Sequence, residues 1–146
     1  MIIIRKYSTQ DKPSIINLLR LNTPHYFSLT EEQDLEYYLD YKIDSYFVIE
    51  IDHKIVGCGG FNLAENASIG KLSWDILHPE FQNKGLGTKL VEYRIQLLKN
   101  LPSIKTISVR TSQLTYKFYE KSGFKLIEIK ENYWAEGFHL YTMILE

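Results

Sequence analysis

The sequence predicts an α/β fold, also describable as α+β, of about seven strands and about four helices in the order β-α-α-β-β-β-α-β-α-β-β. Three observations carry this. The glycine-bearing run Gln82 to Thr88 stands between a strand-like and a helix-like segment, and Asp52-His53-Lys54 joins two β-prone runs as a hairpin. Connections are short throughout, with no repeat, low-complexity stretch or linker.

Ile2 to Lys6 reads as a strand and Thr9 to Leu21 as a helix, with Pro13 in its first turn, where a missing N–H removes no bond. Thr30-Glu31-Glu32-Gln33 has the spacing of a capping box and predicts a second helix to about Tyr41. Tyr46 to Ile51 and Ile55 to Leu63 form the hairpin, with Gly57, Gly59 and Gly60 weakening its second strand or marking a bulge. Leu72 to Leu77 is β-prone and stops at His78-Pro79, because proline cannot donate to a ladder. Beyond the glycines, Leu86, Leu90, Tyr93 and Leu97 recur at helical spacing beside Val91, Ile95 and Leu98, giving a helix to about Asn100. A strand from Ile104 to Arg110, a short helix carrying Tyr119, and a closing strand pair, Lys125 to Lys130 and Phe138 to Leu145, complete the chain.

At 146 residues the prior is one domain, 1–146. With 45% hydrophobic residues and a formal charge of −1, the composition suggests neither disorder nor a nucleic-acid-binding polycation. The single Cys58 rules out an internal disulfide, suits a reducing compartment, and reads as a small buried strand residue. The start Met1-Ile2-Ile3-Ile4-Arg5-Lys6 is too short for a signal-peptide core or a membrane span, so the expectation is a cytoplasmic protein with no membrane partner. No His/Cys cluster has metal-ligand spacing, and no basic-aromatic stripe points to nucleic acid.

Two motifs carry chemistry. In the first, glycines open a helix, whose unpaired N–H groups and positive dipole end receive an anion that glycine lets approach closely. This describes a pyrophosphate cradle, but neither G-x-G-x-x-G nor G-x-x-x-x-G-K-[ST] is present. In the second, Thr115-Tyr116-Lys117-Phe118-Tyr119-Glu120-Lys121-Ser122-Gly123-Phe124, Gly123 stands as the left-handed residue ending a helix and Phe124 packs back on the last turn. Phe118 and Tyr119 leave that helix on adjacent bearings, so one can pack in the core while the other points its hydroxyl elsewhere.

Leu77-His78-Pro79-Glu80-Phe81-Gln82-Asn83-Lys84-Gly85-Leu86-Gly87 resembles the acetyl-CoA motif of the GNAT superfamily of N-acetyltransferases: an apolar strand end, then x-P-x-x-[QR]-x-x-G-x-[GA]. The second motif resembles that superfamily's A-x-x-[LF]-Y-E-K-x-G-F, with Thr115 where alanine is usual. The resemblance implies a central mixed, mostly antiparallel sheet in which the motif strand and the next splay apart. It implies acetyl-CoA as cosubstrate, with pantetheine along Ile76 and Leu77 and pyrophosphate on Gln82, Asn83, Lys84, Gly85, Leu86, Gly87 and Thr88. Tyr119 is the implied general acid, beside the CoA sulfur. Ser112 stands where many members carry a cofactor-touching asparagine; its hydroxyl either does similar work or caps the helix.

The implied reaction is direct attack of a neutral primary amine on the acetyl carbonyl, which needs a base, or a water leading to one, and an acid for the thiolate. Where members place a basic glutamate this chain has Lys71 or, on the next strand, Ser108. Asp75, of the same strand parity as Ser73 and Leu77, is the candidate base; Glu50, His78 and His139 are weaker, and a water chain is the remaining option. The acceptor is a small amine or a peptide or protein amine, taken by a monomer or homodimer. From Glu31 to Asp44, six acids against Lys42 would draw a cationic amine or simply form a solvated face. His25-Tyr26-Phe27 and Tyr37-Tyr38 line an acceptor pocket or belong to the core, and Asn132 to Gly137 faintly resembles the ending of bacterial N-terminal protein acetyltransferases. The alternative function is a catalytically silent acyl-CoA-binding or sensing module.

Overall fold

The β-branched runs and amphipathic stretches resolve into seven strands and four α-helices in a computed structural model that describes residues 1–145. The strands are β1 (Ile2–Lys6), β2 (Ser45–Ile51), β3 (Lys54–Ala64), β4 (Ile69–Leu77), β5 (Thr106–Thr111), β6 (Lys125–Ala135) and β7 (Phe138–Leu145). The helices are α1 (Lys12–Leu21), α2 (Glu31–Tyr37), α3 (Leu86–Lys99) and α4 (Tyr116–Glu120), so the element order is the predicted one. The strands form one mixed sheet, β1-β2-β3-β4-β5-β7-β6, with β4 and β5 parallel and β1·β2, β5·β7 and β6·β7 antiparallel. Packing sorts the chain into two units, Met1–Gly60 with Trp74–Leu90 and Phe61–Ser73 with the chain from Val91 on; β3, β4 and α3 contribute to both.

The first unit is built on Ile15, Leu18 and Leu19 of α1 and Leu35 of α2, which share a core with Val48 of β2, Cys58 of β3 and Ile76 of β4. Cys58 is fully buried. A 3-10 turn, Thr9–Asp11, precedes α1, and Asp11 accepts Ser8 N–H at 2.8 Å and both arms of the Arg5 fork at 2.8 and 2.9 Å. Hydrogen bonding to Arg5 holds the Asp11 carboxyl below the usual carboxylate range.

The predicted capping box does not form, since Thr30 has helical dihedrals and no side-chain cap bond; two residues earlier the Glu31 carboxylate accepts Ser28 N–H at 2.7 Å, while Ser28 Oγ accepts Thr30 N–H at 3.2 Å. The predicted single helix to Tyr41 is instead α-helical to Tyr37 and π-helical over Tyr38–Lys42, where the wider turn accommodates two successive buried residues, Tyr38 and Leu39. Asp52 and His53 both have positive φ, 49° and 65°, which fits a two-residue hairpin loop with the twist of its strands. The β3 glycines serve close packing. A Cβ on Gly57 would stand 2.6 Å from Leu77 Cδ2, and one on Gly60 would strike the Ser45 carbonyl.

In the second unit, a Cβ on Gly70 would meet Leu98 of α3 at 2.6 Å, and Leu98, Ile107, Val109, Phe124, Leu140 and Met143 are buried. Helix α4 ends as expected: Gly123 has φ 98°, its N–H donates to Glu120 O at 3.0 Å, and Phe124 N–H donates to Tyr119 O at 3.2 Å. Strand β6 runs to Ala135, five residues past the predicted end, because a bulge between Lys130↔Leu140 and Ala135↔Phe138 absorbs the polar stretch that reads as a loop.

Candidate active site

Strand β4 hands the chain to α3 through the glycine run. A 3-10 turn, Pro79–Phe81, begins at His78, whose Nδ1 accepts Glu80 N–H at 3.1 Å. Asn83 and Gly85 then take left-handed φ values of 62° and 82°, a conformation that glycine and asparagine tolerate best. A Cβ on Gly85 would meet nothing within 4 Å, so the backbone there faces open space. Asn83, Lys84, Gly85 and Thr88 are exposed while Leu86 is buried, which anchors the first turn of α3 and leaves its N-terminal amides accessible to an anion.

Gln82 is turned the other way. Its Nε2 donates to Asn22 Oδ1 at 3.0 Å and to Leu77 O at 3.2 Å, and Asn22 Nδ2 donates to Leu18 O at 2.8 Å and Leu77 O at 2.9 Å. This carboxamide knot ties the end of α1 to the end of β4 and to the start of the cradle. Asn22 is buried, and its only signal in the sequence is the Leu-Asn-Thr-Pro break just after the predicted helix end at Leu21. Replacing it with alanine leaves Gln82 and Leu77 short of partners, so Asn22→Ala should cost about 1–3 kcal/mol of stability. CoA affinity should weaken less than about tenfold, because the loop amides themselves stay in place. Thermal unfolding and calorimetric titration check both parts.

The motif strand changes character at Trp74. Its pairing with β5 runs from Ile69↔Thr106 to Leu72↔Val109, and both strands continue beyond that register, β4 to Leu77 and β5 to Thr111. Trp74 has φ 51°, and its carbonyl accepts the Tyr46 hydroxyl at 2.7 Å. Burial pushes the Tyr46 phenol well above its usual range, keeping it a donor to that carbonyl. The positive φ breaks alternation between Ser73 and Asp75, so the parity that aimed Asp75 with Ser73 does not carry across. His78 N–H still donates to Val56 O at 2.8 Å, so by antiparallel alternation the Leu77 backbone points away from β3, where its carbonyl meets the Asn22 and Gln82 amides.

In the second unit, Ser112 is buried and its Oγ accepts Leu114 N–H at 3.2 Å, while its carbonyl accepts Thr115 and Tyr116 N–H. These bonds shape the turn that leads from β5 into α4, whose N-cap is Thr115. Helix α4 then delivers Tyr119 inward, at 5% exposure, with its ring centroid 5.0 Å from that of Phe118 and 5.9 Å from that of Phe124. Lys71 lies in register with Ser108.

The weaker base candidates all have structural work. Glu50 pairs with Arg5 at 2.6 Å, and the Nδ1 atoms of His78 and His139 accept backbone N–H groups of Glu80 and Asn132. In the acidic segment, Glu31 caps α2, Glu32 pairs with Arg20 at 2.7 Å, and Asp40 takes Lys12 at 3.0 Å. Much of its predicted pull on a cationic amine is therefore spent on neighbours. Phe27 stacks on Trp74 and Tyr38 is buried, whereas Tyr37 and Tyr41 are exposed. Among the described residues no cluster of three or more metal-ligating side chains occurs, and no helix is long and apolar enough to cross a membrane.

Comparison with known proteins gives a consistent result. Residues 13–124 match the profile described as "Acetyltransferase (GNAT) family". An N-alpha-acetyltransferase of Sulfurisphaera tokodaii is 27% identical over 96% of this chain and 90% of its own length. An amino-acid acetyltransferase of Pasteurella multocida is 25% identical over 88% of this chain, which spans only 28% of that protein. Among solved structures, an aminoglycoside 6'-N-acetyltransferase complexed with coenzyme A superposes with a TM-score of 0.79 at 17% identity, covering 98% of this chain and 96% of that one. At that identity the likeness shows the fold.

Proposed function

Because this chain belongs to the acetyltransferase (GNAT) family, we propose that it moves the acetyl group of acetyl-CoA onto a primary amine by direct attack. The observation that carries this is the open, glycine-led helix start at Gly85, where an added Cβ would meet nothing within 4 Å. The cosubstrate, when bound, supplies an activated acyl thioester.

The chain's own groups have separate tasks. The amides from Asn83 to Thr88, with the α3 dipole, hold the pyrophosphate. Ile76 and Leu77, at the β4 end beyond its register with β5, line the path of pantetheine. Tyr119, buried at the end of the second motif, donates its phenolic proton to the departing thiolate. Asp75, close enough to Tyr46 to influence its phenol, takes the amine proton directly or through water. The names of the relatives, N-alpha-acetyltransferase and amino-acid acetyltransferase, favour an α-amine as the acceptor.

The silent-module reading draws on one feature, the absence of a carboxylate at Lys71 and Ser108. A thiol-release assay with acetyl-CoA across amino acids, short peptides, polyamines and aminoglycosides decides between the two. Release that depends on one acceptor class is the expected result. Saturable acetyl-CoA binding with no release from any acceptor would leave the binding module as the function.

A further inference from the structure

Three cations surround one aromatic pair in the second unit. The Arg110 guanidinium carbon lies 4.9 Å from the Tyr133 ring centroid and 5.6 Å from that of Trp134, and Lys130 Nζ lies 5.9 Å from Tyr133. Lys71 is near enough for its charge, with those of Arg110 and Lys130, to draw the Tyr133 phenol below its usual range; hydrogen bonding to Arg110 is the main cause. No carboxylate among the described residues pairs with Arg110, Lys71 or Lys130. In a chain of net charge −1, three like charges gathered without a counter-ion raise one another's energy, and an incoming anion removes that cost.

The cluster is also held in place. Trp134 Nε1–H donates to Thr111 O at 3.1 Å, fixing the β6–β7 hairpin to the end of β5. Gln113 reinforces this by donating to Gly137 O at 2.7 Å and accepting His139 N–H at 3.0 Å, while Asn132 Oδ1 accepts Gly137 N–H at 2.7 Å. Arg110 lies two residues beyond Ser108 on the same face of β5, and Ser108 is in register with Lys71. The cluster therefore stands just past the last β4–β5 pair, Leu72↔Val109. Arg110 is held beside two rings that stand 88° apart, and its planar fork of N–H donors matches two carboxylate oxygens.

We infer that the cluster of Arg110, Lys71 and Lys130 by Tyr133 and Trp134 is an acceptor subsite that binds a carboxylate carried by the amine substrate. This rests on the acetyl-transfer reading and narrows its acceptor to an anionic amine, whose carboxylate is either the α-carboxylate of a free amino acid or an acidic side chain at a peptide N-terminus.

The test is nuclear magnetic resonance of the full chain, following Arg110 Nε–H and Trp134 Nε1–H. The probes are the free amino acids, their methyl esters, peptide amides beginning with Glu or Gln, and inorganic phosphate. Saturable shifts with free acids but not esters are expected, and Arg110→Gln should abolish them while Arg110→Lys retains part. Shifts confined to the Glu peptide over the Gln peptide would assign the carboxylate to a side chain. Esters binding as well as acids and Glu peptides no better than Gln, phosphate binding as well as the best acid, no saturable shift with any probe, or Arg110→Gln titrating like wild type would each overturn the subsite. In turnover, Arg110→Gln should raise KM for the best acid by about tenfold or more, the worth of one charge-assisted pair, with KM for acetyl-CoA unchanged. Carboxylate binding without thiol release would retain the subsite and reject acetyl transfer; release from uncharged amines as fast as from acids would do the reverse.

Discussion

Gly87→Glu should abolish CoA binding and leave the fold intact. Gly87 is the second residue of α3, half-buried, two residues beyond Gly85, where an added Cβ would meet nothing within 4 Å. A glutamate there adds a side chain where phosphate oxygens must come close, and adds a negative charge against two phosphates. Steric and electrostatic penalties act together, so CoA affinity should fall by at least about a hundredfold, or ~2.7 kcal/mol. Stability should hardly change, because glutamate is a better helix former than glycine and is favourable in a first turn. The helix is anchored elsewhere, by Leu86, Leu90, Val91 and Leu98, all buried. Calorimetric titration alongside thermal unfolding separates the outcomes. An unfolded variant would say nothing of the cradle, and Gly87→Ala, which adds only a methyl group, then serves as the milder probe with a smaller loss expected. A folded Gly87→Glu protein with wild-type affinity would sink the assignment of this loop.

The features legible in the sequence are those set by near neighbours. Proline at 79, the glycines at 85 and 123 and the helical recurrence of Leu86, Leu90 and Leu97 act over a few residues, and their elements formed where expected. Even so, the bond from Ser28 N–H to Glu31 formed two residues before the box read at Thr30, because two overlapping S/T-x-x-E/Q spacings compete and burial of Glu31 chose between them. What was missed depends on groups far apart in the chain. Asn22 meets Leu77 across 55 positions and Gln82 across 60, and Tyr46 reaches Trp74 across 28. Periodicity carries no trace of such bonds. The alternation argument for Asp75 failed for a related reason: a tryptophan at φ 51° is rare enough that nothing in Leu72-Ser73-Trp74-Asp75 announces it. The cations Lys71, Arg110 and Lys130 are scattered over three strands, and only the sheet register makes them one patch.

Tyr119→Phe should leave CoA affinity nearly unchanged and lower kcat by about 10²- to 10⁴-fold, the usual worth of a general acid, where chemistry limits turnover. The ring is held by Phe118 and Phe124 and is almost fully buried, so removing one oxygen preserves its packing. In the proposed reading CoA is held chiefly by the backbone amides from Asn83 to Thr88, which this change leaves in place. The proton is needed only as the carbon–sulfur bond breaks, so its loss belongs in kcat rather than in the KM for acetyl-CoA. A smaller loss would mean that the thiolate leaves unassisted or takes its proton from water. Steady-state kinetics with the best acceptor, paired with titration of the same variant, reads both quantities. A kcat within about twofold of wild type, with chemistry shown to be rate-limiting, would remove Tyr119 as the acid, since an acid worth even tenfold would add about 1.4 kcal/mol to the barrier when lost.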